Sequence, residues 1–577
     1  MSLTRWIPAR CAASYMVMWG ALFIPVAYFY LEIFHGVDST FDLVVKAAID
    51  TIAILSPFWL LPMRWRRTAL IPVWAVAVFL FVNILYYRFF GDMMQFRVMG
   101  FTGNVNGVLI GSALALIHPT DTIYLICPIA ATVYTFTLGR NDRTSLPWPA
   151  RAATFGLSIL IFLTGQAFMV RGVMNYHRST YPETKFFDAM KATYSNPPYW
   201  IAQQSTTLRT NGPPVYTMRN LISLFGRQDG HIVLSDPQHA EIDTFLRTMD
   251  KLRQAPDPAF IANHGKNLIL IIVESLNSSV IGQSVGGEEV TPFLNSLIAD
   301  STTVSCLSVQ TRVADGTSSD GHLMYNTGLL PLIHGSAAMQ FDTNTYPSLA
   351  AELPGHHGIE LLGNLGSSWN HFRMSKLYGY KEIHDKHAIA PGDNHDWIAD
   401  SILLDYSADR LSSTPQPFLA QICTISMHFP FTGTQMPAVA AFDQTESISG
   451  TFRAYVTATH YTDACLRTFA DSLRSSGLYD NSIIVIASDH SCPAADTPAA
   501  FGADNAVFIA LNTGKGTRIR SIVGQEDIYP TILEIMGVEH PRWPGVGLSI
   551  LNPAVESKPD GRQVSDLMIR GDYFSHE

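Results

Sequence analysis

Five apolar stretches occupy the first third of the chain, at 13–33, 43–63, 69–89, 121–138 and 152–170. Each is close to the ~20 residues that a helix needs to cross ~30 Å of hydrocarbon, so the pattern predicts five membrane-spanning helices. No small-residue cleavage pattern follows the first stretch and further spans come after it, so it reads as a retained helix and not a removed leader. Residues 107–117 (GVLIGSALALI) are apolar but too short to span, and read as a segment lying on or re-entering the outer membrane face. After residue 171 the pattern is mixed. Pro197, Pro198, Pro213 and Pro214 interrupt it, and helices are expected over 216–226 and 238–254.

From about residue 266 short β-branched runs alternate with helix-like segments. The clearest strands are Asn267–Val273, Ile359–Leu362, Phe418–Ile425, Ser482–Ala487 and Ala506–Leu511. Between the first two lies a helical stretch, Thr291–Asp300, with Thr291 in the N-cap position and Pro292 in the first turn. This alternation predicts an α/β fold with a central, mainly parallel sheet, whose ligands bind beyond the carboxyl ends of the strands. The expected organisation is a five-span α-helical membrane domain over 1–171, a juxtamembrane linker with helices over 172–265, and an extracytoplasmic α/β domain over 266–577.

Composition agrees with a membrane part joined to a soluble part. Of 577 residues, 47% are hydrophobic and only 15% are charged, against roughly 25% charged in soluble domains. The net charge is −10 and no long basic stretch occurs, which argues against a nucleic-acid partner. Charge also sets the expected orientation. Arg5 and Arg10 precede the first span, Arg64, Arg66 and Arg67 fill the loop after the second, and Arg140, Arg143 and Arg151 fill the loop after the fourth. The positive-inside rule then places the N-terminus and both arginine-rich loops in the cytoplasm, and everything after residue 171 outside the cytoplasmic membrane. Arg171 sits at the outer boundary against that trend, where its long stem lets it snorkel. Lys46 and Asp50, one helical turn apart near the outer end of the second span, read as a mutually neutralised pair. Cys11, Cys127, Cys306, Cys423, Cys465 and Cys492 include no CxxC pair, which excludes a zinc ribbon or dithiol motif. The last four read as small buried residues.

The chemistry-bearing residues stand at predicted strand ends. NLILIIVES ends a strand in Glu274, and SIIVIASDH ends another in Asp489 and His490. Two carboxylates and an imidazole on one rim of a sheet form a ligand set for Mn²⁺ or Zn²⁺. A third element, Asp315-Gly316-Thr317-Ser318-Ser319-Asp320-Gly321, is a hydroxyl-rich turn before a helix-like run at His322–Leu330. A hydroxyl at a helix N-terminus sits in a field that favours an alkoxide and binds phosphate oxygens. None of the cysteines, and no serine near 318, opens the C/S-x-P-x-R motif of formylglycine sulfatases.

Taken in order, VES at 273–275, TPFLNSL at 291–297, GTSSD at 316–320, WN at 369–370, the turn at 428–431, GLYDNSIIVIASDH at 477–490 and DIYPTILEIMG at 527–537 resemble lipoteichoic acid synthases. Those phosphoglycerol transferases belong to the alkaline phosphatase/sulfatase superfamily. The resemblance implies a sulfatase-like fold and a membrane enzyme that moves a phosphoglycerol-type or phosphoethanolamine-type group from a phospholipid donor to an envelope glycan or lipid acceptor, through a covalent Ser or Thr intermediate. It implies one divalent metal ion, Mn²⁺ or Mg²⁺ with Zn²⁺ as the alternative, held by Glu274, Ser318, Asp489 and His490. Spacing before Asp320 selects Ser318 as nucleophile, and Thr317 is the alternative. His428 would contact the transferred phosphate or move a proton. Trp369, Asn370 and His371 would bind substrate, with His371 standing where the family often has arginine. A sulfatase-superfamily hydrolase, acting as phosphodiesterase, phosphatase or sulfuric ester hydrolase, is the competing expectation. Asp527 reads as a cap on a packing helix.

Overall fold

The computed structural model describes residues 9–34, 39–61, 63–90, 93–94, 111, 113–137, 147–180, 208 and 212–217, and then 230–576 apart from positions 334, 394, 396, 432–435 and 447. Two compact units divide the chain: residues 1–100 with 113–226, and residues 101–112 with 227–577.

Among the described residues of the first unit, four helices are long and apolar enough to cross a membrane: Ala13–Phe34, Thr40–Leu60, Arg67–Arg88 and Trp148–Phe168. The stretch predicted at 121–138 forms a shorter helix, Ile123–Phe136, of 14 residues with Pro128 inside it. At 1.5 Å per residue it spans about 21 Å, less than the ~30 Å of a hydrocarbon core. Polar ties hold these helices in register. Lys46 Nζ lies 3.3 Å from Asp50, whose Oδ2 also accepts from the Tyr30 hydroxyl at 2.6 Å. Arg88 pairs with Glu32 and, at 2.7 Å, with Asp121. Both networks are buried or half-buried, and each lets apolar helices carry charge without leaving it unpaired. Of the apolar segment at 107–117, residues 111 and 113–117 are described, and most of the helix expected over 216–226 lies outside the described residues.

The second unit is built on a nine-stranded sheet. Its strands are β1 (Asn267–Val273), β4 (Val304–Gln310), β5 (His357–Leu362), β6 (Glu382–His384), β7 (Phe418–Cys423), β8 (Ser482–Ser488), β9 (Ala506–Leu511), β10 (Thr517–Ile519) and β11 (Val523–Gly524). A separate two-stranded hairpin comprises β2 (Ser284–Val285) and β3 (Glu288–Glu289). The main sheet has the order β10-β4-β9-β8-β1-β7-β5-β6, with β11 also on β4. Strands β1, β7 and β8 are buried along their whole length, the signature of a parallel sheet covered on both faces. Only β9 runs against its neighbours β8 and β4. Because β9 opposes both, β4 points the same way as β8.

This polarity brings five separated segments to one edge. Val273 pairs with Ser488 at the ends of β1 and β8, so the next residues, Glu274 and Asp489, emerge side by side. The segments after β4, β5 and β7 leave from the same edge. Helices pack on the sheet faces. Ile242, Phe245 and Met249 of the helix Asp236–Leu252 lie in the same core as β1 and β8. The helix expected at Thr291–Asp300 runs Pro292–Ile298, and Thr291 does occupy the N-cap position. Its first free amides are capped from elsewhere: Phe293 N and Leu294 N donate to the two carboxylate oxygens of Asp463, each at 2.8 Å. Cys306, Cys423, Cys465 and Cys492 are free and buried.

Candidate active site

Glu274, Asp489 and His490 converge beyond the carboxyl ends of β1 and β8, with one donor atom from each lying within 4.8 Å of the others. His490 Nε2 is 3.3 Å from Asp489 Oδ2 and 3.8 Å from Glu274 Oε1. Both carboxylates are buried. Burial first, and then the Glu274 charge, push Asp489 up to about 7. Burial works against a charged His490, but Asp489 and Glu274 more than offset it, and its pKa rises. Two buried carboxylates beside a single imidazole leave an excess of negative charge. A divalent cation fits that excess, and the oxygen–nitrogen donor set suits Mn²⁺ or Zn²⁺.

Ser275 binds the cluster together, a part that sequence reasoning missed. Its N–H donates to Asp489 Oδ1 at 2.8 Å and its hydroxyl to Glu274 Oε1 at 2.6 Å. It does so from a left-handed backbone, φ +57°, held by Tyr455, whose hydroxyl donates to the Ser275 carbonyl at 2.9 Å. Gln525 Nε2 donates to the Asp489 carbonyl at 2.7 Å. Such outer contacts fix ligand direction before any ion arrives.

The hydroxyl-rich turn enters the helix Ser318–Thr327, beginning earlier than the run expected at His322–Leu330. Asp320 Oδ2 accepts from Ala314 N at 2.8 Å and Gly316 N at 3.0 Å, folding the turn back on the helix start. Thr317 is the N-cap, at φ +42°, a strained setting for a β-branched residue. Ser318 is the first helical residue, and its Oγ lies 3.3 Å from His490 Nε2. Gly321 lets this helix approach β8: a Cβ there would meet the Asp489 carbonyl oxygen at 2.4 Å.

Trp369 and Asn370 are consecutive left-handed residues, φ +50° and +56°. Asn370 Nδ2 donates to Ala338 O and Asp342 Oδ2, both at 3.0 Å. Their strain marks a turn that its surroundings hold rigidly. His371 is buried, with its ring 4.7 Å from that of His322. His428 follows β7. Its Nδ1 lies 2.7 Å from the Phe429 carbonyl and its ring 5.5 Å from that of Trp397. Burial lowers its pKa, with the neighbouring His490 acting in the same direction. Asp527 is wholly buried and accepts from Gly524 N at 2.8 Å, Leu548 N at 2.9 Å and Lys558 Nζ at 2.7 Å. It anchors backbone at the start of the helix Ile528–Ile535.

Residues 266–538 match the sulfatase family. Residues 9–181 match the lipoteichoic acid synthase N-terminal domain. Lipoteichoic acid synthase 2 of Bacillus subtilis is 27% identical over 93% of this chain and 83% of its own length. Lipoteichoic acid synthase of Staphylococcus aureus is 25% identical over 80% of this chain and 71% of its own. Among solved structures, a lipoteichoic acid synthase from Listeria monocytogenes aligns at TM-score 0.46 and 21% identity, over 54% of this chain and 81% of that one. A Streptococcus pyogenes phosphoglycerol transferase in complex with sn-glycerol-1-phosphate aligns at TM-score 0.43 and 13% identity, over 60% and 95%. The chain is a lipoteichoic acid synthase-like enzyme of the sulfatase superfamily.

Proposed function

We propose that this chain is a membrane-anchored transferase that moves a phosphoglycerol-type or phosphoethanolamine-type group from a phospholipid to an envelope glycan or lipid. The observation that carries the reading is the placement of Ser318 Oγ, at a helix N-terminus and 3.3 Å from His490 Nε2. Glu274, Ser318, Asp489 and His490 would hold the divalent metal. Bound there, the ion supplies Lewis-acid charge that favours the serine alkoxide and the developing charge on phosphoryl oxygens.

Ser318 Oγ attacks the donor phosphorus in line. A phosphorus–oxygen bond forms to the serine, and the bond to the diacylglycerol oxygen breaks. The helix N-terminus points backbone N–H groups toward the phosphoryl oxygens. His428 is proposed to handle the protons. With its Nδ1–H directed at the Phe429 carbonyl, the neutral ring carries its lone pair on Nε2. That nitrogen takes the proton of an incoming hydroxyl, and in protonated form returns one to the departing alcohol. An acceptor hydroxyl then attacks phosphorus and frees Ser318. Trp369, Asn370 and His371 would shape the donor pocket.

Arginine placement supports five crossings, with 1–171 as the membrane domain, 172–265 as linker and 266–577 outside the cytoplasmic membrane. A retained multi-span anchor suits a donor that enters from the bilayer. The test is peptide mass spectrometry of purified full-length protein incubated with mixed phospholipids and Mn²⁺, without acceptor. A phosphoglycerol or phosphoethanolamine adduct on Ser318 is expected. Turnover of phospholipid with no adduct on any serine or threonine would overturn the covalent mechanism. An adduct released only to water, whatever glycan or lipid is added, favours the hydrolase reading.

A further inference from the structure

A second group of metal-type ligands lies beside the first. His322, Glu360 and His371 each offer a donor atom, all within 4.8 Å of one another. They come from three separate elements: the nucleophile helix, strand β5 and the segment after the strained Trp369–Asn370 turn. All three side chains are more than nine-tenths buried, with relative exposures of 6%, 1% and 6%. None takes part in the mechanism above as a metal ligand.

The bland account is a buried ion pair, and the geometry does not fit it. His371 Nδ1 is 4.0 Å from Glu360 Oε1, too far for a hydrogen bond. Glu360 Oε1 already accepts from Gln421 Nε2. Glu360 Oε2 is buried and has no hydrogen-bond partner among the described residues. Leaving a carboxylate oxygen unsatisfied in a closed interior is costly. Two imidazoles and one carboxylate with an unused oxygen form a donor set for a transition metal. Mg²⁺ and Ca²⁺ prefer all-oxygen sites, so the set selects for Zn²⁺, Mn²⁺ or Fe²⁺.

We propose that His322, Glu360 and His371 form a second divalent transition-metal site, distinct from the Glu274–Asp489–His490 site. Ser318 and His322 are four residues apart on one helix and so share a face. The second ion therefore fastens the nucleophile helix, one turn below its reactive end, to β5 and to the Trp369–Asn370 turn. It is a positioning site: its metal joins three elements that must keep register for Ser318 to face the first site.

Full-length protein in detergent is stripped with chelator, reloaded with Zn²⁺, desalted, and its metal counted by mass spectrometry. Wild type is expected to retain two equivalents per chain. His371→Ala and Glu360→Gln should each retain one, as should Asp489→Asn, which removes a ligand of the first site. In the Asp489→Asn background, Co²⁺ loading should still give the visible absorption of a nitrogen–oxygen site, and His322→Ala should abolish it. A single equivalent in wild type that survives His371→Ala overturns the proposal. Two equivalents in His371→Ala that both vanish with changes at Glu274 and Asp489 overturn it as well. Neither readout depends on transfer activity, so failure here leaves the Ser318 mechanism standing.

Discussion

Thr317 and Ser318 are adjacent hydroxyl residues with different jobs written into their backbones. Thr317 is the N-cap at φ +42°, while Ser318 begins the helix and reaches His490. Glycine relieves a left-handed strain that threonine must bear. Thr317→Gly is therefore expected to keep the phospholipid-derived adduct on residue 318 and to melt no lower than wild type. Ser318→Ala should lose the adduct and reduce transfer by on the order of 10³-fold or more. An adduct that follows residue 317 would reverse the assignment. Glu274, Asp489 and His490 were legible in the sequence because each ends an apolar run, where strand periodicity gives a definite address. Ser275, His322 and Glu360 were not. Glu360 lies inside a strand and His322 inside a helix, and their neighbours become apparent only when β5, β7 and the nucleophile helix are packed together.

Elements set the approach of these residues, and Gly321 sits at the tightest point. A methyl group there would collide with the Asp489 carbonyl, which belongs to the backbone and cannot swing aside. Gly321→Ala should push the nucleophile helix off the end of β8. A displacement approaching 1 Å can cost ~10²-fold in rate, so kcat for transfer should fall by about that much with only a modest drop in melting temperature. The sequence read β1, β8 and β9 well because they are continuous apolar runs. It passed over β4, whose VSCLSVQ is interrupted by polar residues and has an irregular register between Cys306 and Val309. It placed Thr291 at an N-cap but could not see the cap that comes from Asp463, 172 residues further on. Burial raises Asp463 to about 6 against those two amide bonds, which pull the other way. A carboxyl group raised in the folded state holds its proton more tightly there than when unfolded. Its contribution to stability is thus greatest below the unfolded value near 3.8 and falls as pH rises to about 6. Asp463→Ala should cost about 1–2 kcal/mol through the lost caps. The same change should flatten the fall in melting temperature between about pH 4 and 6. An unchanged pH slope in the variant would place that titration elsewhere.

At the scale of the whole molecule, the outcome turns on one short helix. The catalytic unit must face the side where its acceptor resides, and the number of crossings before residue 171 decides this. Among the described residues four helices have the length and apolarity to span, whereas Ile123–Phe136 has 14 residues. If it crosses, the arginine-rich segment around Arg143 is cytoplasmic and residue 230 is outside. If it does not, Arg143 stays outside and Trp148–Phe168 carries the catalytic unit into the cytoplasm. Charge argues for the crossing: Arg140, Arg143 and Arg151 would otherwise all lie on the outer side, against the bias that also places Arg64, Arg66 and Arg67. A short helix crosses when the bilayer thins locally or neighbouring helices shield its ends, at fractions of a kcal/mol per Å of mismatch. The tie from Arg88 to Asp121, just before this helix, supplies one such neighbour. Single cysteines introduced at Arg143 and Gly230, probed in intact cells with a membrane-impermeant maleimide, separate the two cases. Labelling at 230 and protection at 143 is the expected result. Labelling at 143 with protection at 230 would put the active site in the cytoplasm and remove envelope acceptors from its reach.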